Sequence, residues 1–147
     1  MSMSRPIDTA DLELVERATE IVVRCGDGTV HTVAAAARAD DGRIVTGMNV
    51  YHFTGGPCAE LVLLGNAAEL GVERLEVIVA VADRTRGILP PCGRCRQVLL
   101  DYHPDIRVLI AIDAMVESLP IAALLPFGFR WTVESGSVPP GGRRKFS

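Results

Sequence analysis

Two cysteine segments constrain this chain more than anything else in it. Each follows a proline: Pro57-Cys58-Ala59-Glu60 and, with Cys92 placed 34 positions after Cys58, Pro91-Cys92-Gly93-Arg94-Cys95. Proline suits the first position of a helix, where its missing N–H costs nothing. Both segments are therefore predicted to open helices, from Pro57 and from Pro91. Cys92 and Cys95 are three apart and share one helix face. If Cys58 joins them on one ion, two helix N-termini must converge on a single point.

The chemistry at that point follows from the residue types. Three thiolates can hold a tetrahedral zinc and leave its fourth position open, which separates a catalytic zinc from a closed structural one. Unpaired amides and the positive end of the helix dipole favour thiolate over thiol there. Glu60, two residues beyond the first ligand, sits where a carboxylate can move protons for a water whose pKa zinc lowers toward ~7. Cys-x-x-Cys alone is weak evidence, because redox pairs and structural zinc sites share it. Cys25 is the one cysteine left to close a four-cysteine site. It instead extends the helical stripe of Leu12, Val15, Ala18 and Val22, with Leu14 and Ile21 alongside. It is expected inside the core, as a small hydrophobe. His31 and His103 are read as strand-surface or cap residues.

The chain reads as one domain of 147 residues, 48% hydrophobic, with a formal net charge of −3. That charge gives no reason to expect a polyanion partner, since nucleic-acid binders carry a basic patch. No apolar run approaches the roughly 20 residues a membrane helix needs. Met1 to Ala10 lacks a secretory apolar core, and four cysteines then suggest thiols and metal rather than disulfides. The expected location is cytoplasmic.

Along the chain, Asp8 or Thr9 can cap a first helix that ends at Gly26-Asp27-Gly28. Val30–Arg38 and Arg43–Asn49 read as strands joined by a hairpin at Asp40-Asp41-Gly42. The second helix runs through Leu70, and Leu75–Val81 is a buried strand. The third helix runs to about Tyr102, followed by a strand over Ile106–Ile112 and a short fourth helix over Ser118–Leu125. This alternation predicts an α/β mixed sheet with helices on both faces. Residues 1–133 form the domain. Residues 134–147, rich in Gly, Pro, Ser and Arg, are expected to be a flexible tail with Arg143-Arg144-Lys145 solvated.

The segments around both motifs carry a resemblance. Thr46-Gly47-Met48-Asn49-Val50-Tyr51-His52-Phe53-Thr54-Gly55-Gly56-Pro57-Cys58-Ala59-Glu60-Leu61 and Arg86-Gly87-Ile88-Leu89-Pro90-Pro91-Cys92-Gly93-Arg94-Cys95-Arg96-Gln97-Val98-Leu99-Leu100-Asp101 resemble fungal-type blasticidin S deaminases, within the cytidine deaminase superfamily. The similarity runs, with one small length difference, from about Asp11 to Trp131. It implies a three-layer α-β-α fold on a five-stranded mixed sheet, one zinc per chain on Cys58, Cys92 and Cys95, and Glu60 as acid and base. It also implies a homotetramer and a small cytosine nucleoside or analogue as substrate.

Cytidine deaminases use Asn-x-Glu to hold ribose hydroxyls. Here Asn49 matches, Tyr51 replaces the glutamate, and the loop to Cys58 is two residues shorter. That departure favours a cytosine nucleoside with an altered sugar, such as blasticidin S, or a nucleobase-like substrate, over cytidine and deoxycytidine; the alternative is a deaminase of another nucleobase or base analogue. Asn49, Tyr51, His52, Phe53, Ala59 and Trp131 are the candidate pocket residues. For Asn49 the alternative is a turn role, for His52 simple packing, and for Trp131 a subunit contact. Three thiolates on a divalent cation leave a net charge of −1, which weakens zinc as a Lewis acid. Many small cytidine deaminases follow Cys-Ala-Glu with an arginine, where this chain has Leu61. Arg94 can take that role, with Pro91 fixing the segment. Two other classes compete. A non-catalytic zinc protein is disfavoured by the intact Glu60 and the lack of a fourth ligand. A polynucleotide editor is disfavoured by the acidic charge.

Overall fold

In the computed structural model, residues 3–131 are described. The expected tail at 134–147, and the end of the domain at 133, lie outside them. The elements in order are β1 (Arg5–Pro6), α1 (Thr9–Cys25), β2 (Val33–Ala39), β3 (Ile44–Met48), α2 (Ala59–Glu69), β4 (Leu75–Ala82), β5 (Gly87–Leu89), α3 (Gly93–Tyr102), β6 (Arg107–Ile112) and β7 (Met115–Pro120), then a 3₁₀ turn over Ile121–Leu124.

The predicted three layers are present, but the sheet has seven strands rather than five. Its order is β1-β7-β6-β4-β2-β3, with β5 also paired to β4. Among the described residues only β4 and β6 pair in parallel, which is the geometry of a strand–helix–strand crossover through α3. β4 supplies the centre of the core, with Val77, Ile78, Val79, Ala80, Val81 and Ala82 all buried. A strand buried on both faces reads as a continuous apolar run, and burying each such Val or Ile contributes about 1.5–3 kcal/mol.

β2 explains the close packing. Ala35, Ala37 and Ala39 face the cluster that holds Leu63, Leu99 and Ile106. Ala34 and Ala36 face the opposite cluster, with Leu14, Ala18 and Val22 of α1. Side chains of one carbon let both helical layers approach the sheet closely. Gly47 of β3 does the same for α2: a Cβ there would lie 2.7 Å from the Leu63 nitrogen and 3.1 Å from the Ala59 carbonyl.

Several sequence expectations need correction. The helices start later than predicted, with Cys58 and Cys92 themselves as N-caps, so Pro57 and Pro91 stand outside them. Ser118–Leu125 is not a helix: β7 runs through Pro120 and only one 3₁₀ turn follows. The buried face of α1 is Asp11, Leu14, Ala18 and Val22, while Leu12 and Cys25 are exposed. Cys25 is therefore not a core residue of this chain. No helix among the described residues is long and apolar enough to cross a membrane.

Asp11 owes its place on the buried face to its partners. Its side chain is fully buried, 2.7 Å from Arg5 Nη1 and 3.4 Å from Arg38 Nη2. It also accepts from the Asp8 amide, while Asp8 accepts from the Asp11 amide, closing a capping box. Burial raises its pKa, but the Arg5 hydrogen bond and the further donors outweigh burial and hold it below the ordinary value. A carboxyl whose pKa is depressed by folding gives stability that is present above its unfolded pKa of ~3.9 and lost as pH falls through the folded value. Asp11→Ala leaves Arg5 and Arg38 without their shared acceptor, and a loss of about 2–4 kcal/mol at pH 7 is expected. Thermal melts of chelator-treated protein check this. The gap between parent and variant should narrow at pH 3, and a gap independent of pH would show that the ion cluster is not the cause.

Candidate metal centre and active site

The two cysteine corners are built alike. Cys58 caps α2 with φ −66° and ψ 160°, and Cys92 caps α3 with φ −66° and ψ 168°. Neither thiol makes a side-chain capping bond, so both are free to face each other. The carbonyl ahead of Cys58, on Pro57, accepts from the Val50 amide at 3.1 Å. The carbonyl ahead of Cys92, on Pro91, accepts from Arg96 Nε at 2.7 Å. Gly56 is needed at the first corner because any Cβ there would strike the Val50 carbonyl.

Among the described residues, one cluster of potential ligands has metal-binding dimensions: the Cys58, Cys92 and Cys95 sulfurs all lie within 4.8 Å of one another. Cys58 and Cys92 are 3.7 Å apart. A tetrahedral ion with Zn–S bonds of ~2.3 Å separates its sulfurs by roughly 3.8 Å, so the Cys58 and Cys92 sulfurs stand at zinc spacing. Thiolates are soft ligands that suit zinc. Cys25, exposed at the far end of α1, stands apart from the cluster. So do His31, whose Nδ1 lies 2.8 Å from the Asn49 carbonyl, and His103, whose burial lowers its pKa.

Electrostatics differ among the ligands. Burial opposes the Cys92 thiolate, but bonds from the Cys95 amide and thiol, Cys58 and the Arg94 amide outweigh it and lower its pKa. Burial, followed by the Glu60 charge, pushes the Cys95 thiol well up. Cys95 therefore keeps its proton until a cation displaces it, and metal uptake must release that proton. Its thiol points at Glu60 Oε2 across 3.8 Å. Glu60 is buried, with 6% of its surface exposed, and burial raises its pKa against smaller opposing hydrogen bonds. Arg94 is exposed; its Nη2 donates to the Gly56 carbonyl at 3.2 Å and lies 3.7 Å from the Cys58 sulfur.

A cavity of about 210 Å³ opens beside the cluster. Asn49, Tyr51, Cys58, Ala59, Glu60 and Cys92 contribute to its wall. Asn49 is also a structural latch: its Oδ1 accepts from the Thr32 and Val33 amides at 2.8 and 2.9 Å, and its Nδ2 donates to Thr32 Oγ1. Tyr51 is exposed at the mouth. His52 and Phe53 stack on each other at 4.5 Å, Phe53 being 87% exposed. Trp131 packs edge-on against Tyr102, the last residue of α3. Cys92 caps the opposite end of that helix, and Trp131 does not line the cavity. The structure thus brings six of the predicted residues to one cavity and leaves Cys95, Pro91, Arg94, His52, Phe53 and Trp131 outside its wall. Sequence reasoning did not single out as wall residues Val33, Gly56, Pro57, Ala80, Leu89 and Pro90, which complete it. The available signal was Leu89-Pro90, directly ahead of the second cysteine motif.

Comparison with known proteins agrees with this geometry. Residues 8–111 match the family model for the cytidine and deoxycytidylate deaminase zinc-binding region, and the chain belongs to that family. It is 34% identical over 132 residues to blasticidin-S deaminase from Bacillus cereus, covering 84% of this chain and 94% of that one. It is 42% identical over 99 residues to cytidine deaminase from Mycobacterium tuberculosis, covering 66% and 71%. The crystal structure of cytidine deaminase from M. tuberculosis superposes with a TM-score of 0.69 at 32% identity, covering 84% of this chain and all of that one.

The ligand assignment predicts the behaviour of four single variants. Cys58→Ser, Cys92→Ser and Cys95→Ser should each lose zinc, while Cys25→Ser should retain about one ion per chain. Metal analysis decides it, and zinc loss from Cys25→Ser would overturn the three-ligand site.

Proposed function

We propose that this protein is a zinc-dependent hydrolytic deaminase that replaces the amino group of a cytosine ring with a carbonyl oxygen and releases ammonia. The observation that carries the reading is Glu60: a buried carboxyl in the cavity wall, in contact with one of three clustered cysteines. Zinc held by Cys58, Cys92 and Cys95 supplies Lewis acidity, lowering the pKa of a water toward ~7. Glu60 handles the protons. Burial raises its pKa, which favours taking a proton, passing it to the ring nitrogen beside the amino-bearing carbon, and then protonating the departing amine. Pro57 and Ala59 form apolar wall against the ring and limit water access. Arg94, beside the Cys58 sulfur, offsets the negative charge of the three thiolates.

A 210 Å³ cavity is smaller than the roughly 300–1,000 Å³ of pockets for drug-sized ligands. It suits one ring, with the sugar at the mouth near Asn49 and Tyr51. Thr32 and Val33 already occupy the Asn49 oxygen, so that side chain offers the sugar one remaining N–H. Within the class we place blasticidin S ahead of cytidine and deoxycytidine, on Tyr51 and on the likeness to the B. cereus enzyme. We further assign the protein to the cytoplasm and to a homotetramer. The half-exposed Leu61, Val62 and Leu64 on α2, with the exposed Phe53 and Trp131, support the assembly. Light scattering should give four times the chain mass of 15.8 kDa.

Ammonia release measured with cytidine, deoxycytidine, blasticidin S, cytosine and guanine tests the substrate assignment; activity on guanine alone would refute it. Glu60→Gln keeps the shape and the hydrogen bond but cannot accept and return a proton. General acid–base catalysis is worth ~10²–10⁴ in rate, and one group serving two successive transfers places the expected loss at or beyond the top of that range. Zinc content and ligand affinity should hold. Turnover within about tenfold of the parent would remove Glu60 from the proton path.

A further inference from the structure

The two metal corners differ in one respect. Each begins with the carbonyl of a proline that precedes the helix N-cap. At the Pro57 corner a main-chain amide, that of Val50, pins the carbonyl. At the Pro91 corner a side chain does so: Arg96 Nε donates to the Pro91 carbonyl at 2.7 Å, and Nη1 of the same guanidinium donates to the Leu124 carbonyl at 2.9 Å.

The geometry points to Arg96 as the positioning residue for the metal ligand Cys92. The Pro91 carbonyl belongs to the peptide that joins Pro91 to Cys92, so holding its oxygen fixes the plane from which the Cys92 backbone and thiol project. Pro91 is buried while Cys92 is exposed, and the Cys92 thiol has no capping bond of its own to hold it. The Arg96 fork is rigid and planar. Its second bond, to the 3₁₀ turn after β7, ties the corner to the fold rather than to α3 alone. Arg96 sits next to Cys95 in sequence, on the same helix, so one residue sets the spacing of both α3 ligands relative to Cys58. The neighbouring Gln97 donates to the Phe129 carbonyl at 2.9 Å, so the segment from Leu124 to Phe129 straps α3 at two points. The strap therefore acts as a backstop for the metal helix.

The inference rests on the three-cysteine metal site, and it is tested by affinity rather than turnover. Zinc affinity is measured by competition with a chelator, and ligand geometry by the absorption spectrum of the cobalt(II)-substituted protein. The proteins are the parent, Arg96→Met, Arg96→Lys and, as a comparator, Arg107→Met. Arg107 likewise holds main-chain carbonyls, those of Met3 and Ser118, but from β6, toward the β7 and β1 side of the sheet. Outer partners of metal ligands are typically worth ~10–100-fold in affinity. Arg96→Met should lose zinc affinity in that range and shift the cobalt bands. Arg96→Lys should recover little, because one ammonium cannot span both carbonyls. Arg107→Met should keep parental affinity. Melting of the metal-free forms identifies which variants fold, and Arg96→Lys carries the test if Arg96→Met does not. A folded Arg96 variant with parental affinity and spectrum overturns the inference alone. An equal loss in Arg107→Met also overturns it, by showing general loosening. A parent that takes up no zinc removes the metal site itself.

Discussion

The structure depends on the meeting of two helix N-termini at three sulfurs. Everything around that point serves to hold it. Gly47 lets α2 lie directly on β3, the alanines of β2 let it lie on the sheet, and the crossover from β4 through α3 to β6 aims the second helix at the first. Converging positive helix ends are unfavourable in themselves. Negative charge placed between them offsets this, and thiolates at the two N-caps provide it. The unusual feature, two helices capped by residues that do not cap, is what leaves the sulfurs available for a metal.

The same point fixes the electrostatics of catalysis. Glu60 lies in the first turn of α2, and Cys95 in the first turn of α3, so the pair meets in the buried layer between helices and sheet. Burial raises the pKa of both. For Cys95 this means a proton that only a cation can displace. For Glu60 it means a carboxyl that holds a proton more readily than an exposed one. A carboxylate on the exposed face of α2 would stay ionised and serve neither transfer.

The sequence made most of the site legible, because motif and function coincide at prolines, cysteines and a glutamate. The layers were legible as well, since β4 is an apolar run and α1 has a strong cap. What stayed hidden has physical causes. β5 and β7 both follow two-residue turns whose central residues, Arg84 and Thr85 and then Asp113 and Ala114, take positive φ. Such turns normally announce themselves with Asn or Gly; here neither is present. Without that signal Ser118–Leu125 reads as a helix by composition. The face of α1 was misjudged because its deepest side chain is charged. Asp11 is buried only because Arg5 and Arg38 arrive from other strands, and no local pattern contains that information. Trp131 illustrates a third limit: an aromatic near the end of a chain has no period to place it.

The central claim is an open metal site made of three sulfurs. X-ray absorption at the zinc edge of the purified protein tests it most directly. The account predicts three sulfur neighbours at ~2.3 Å and one lighter neighbour at ~2.0 Å. Four sulfurs at the longer distance would mean a closed structural site, and the catalytic reading of Glu60 would fall with it.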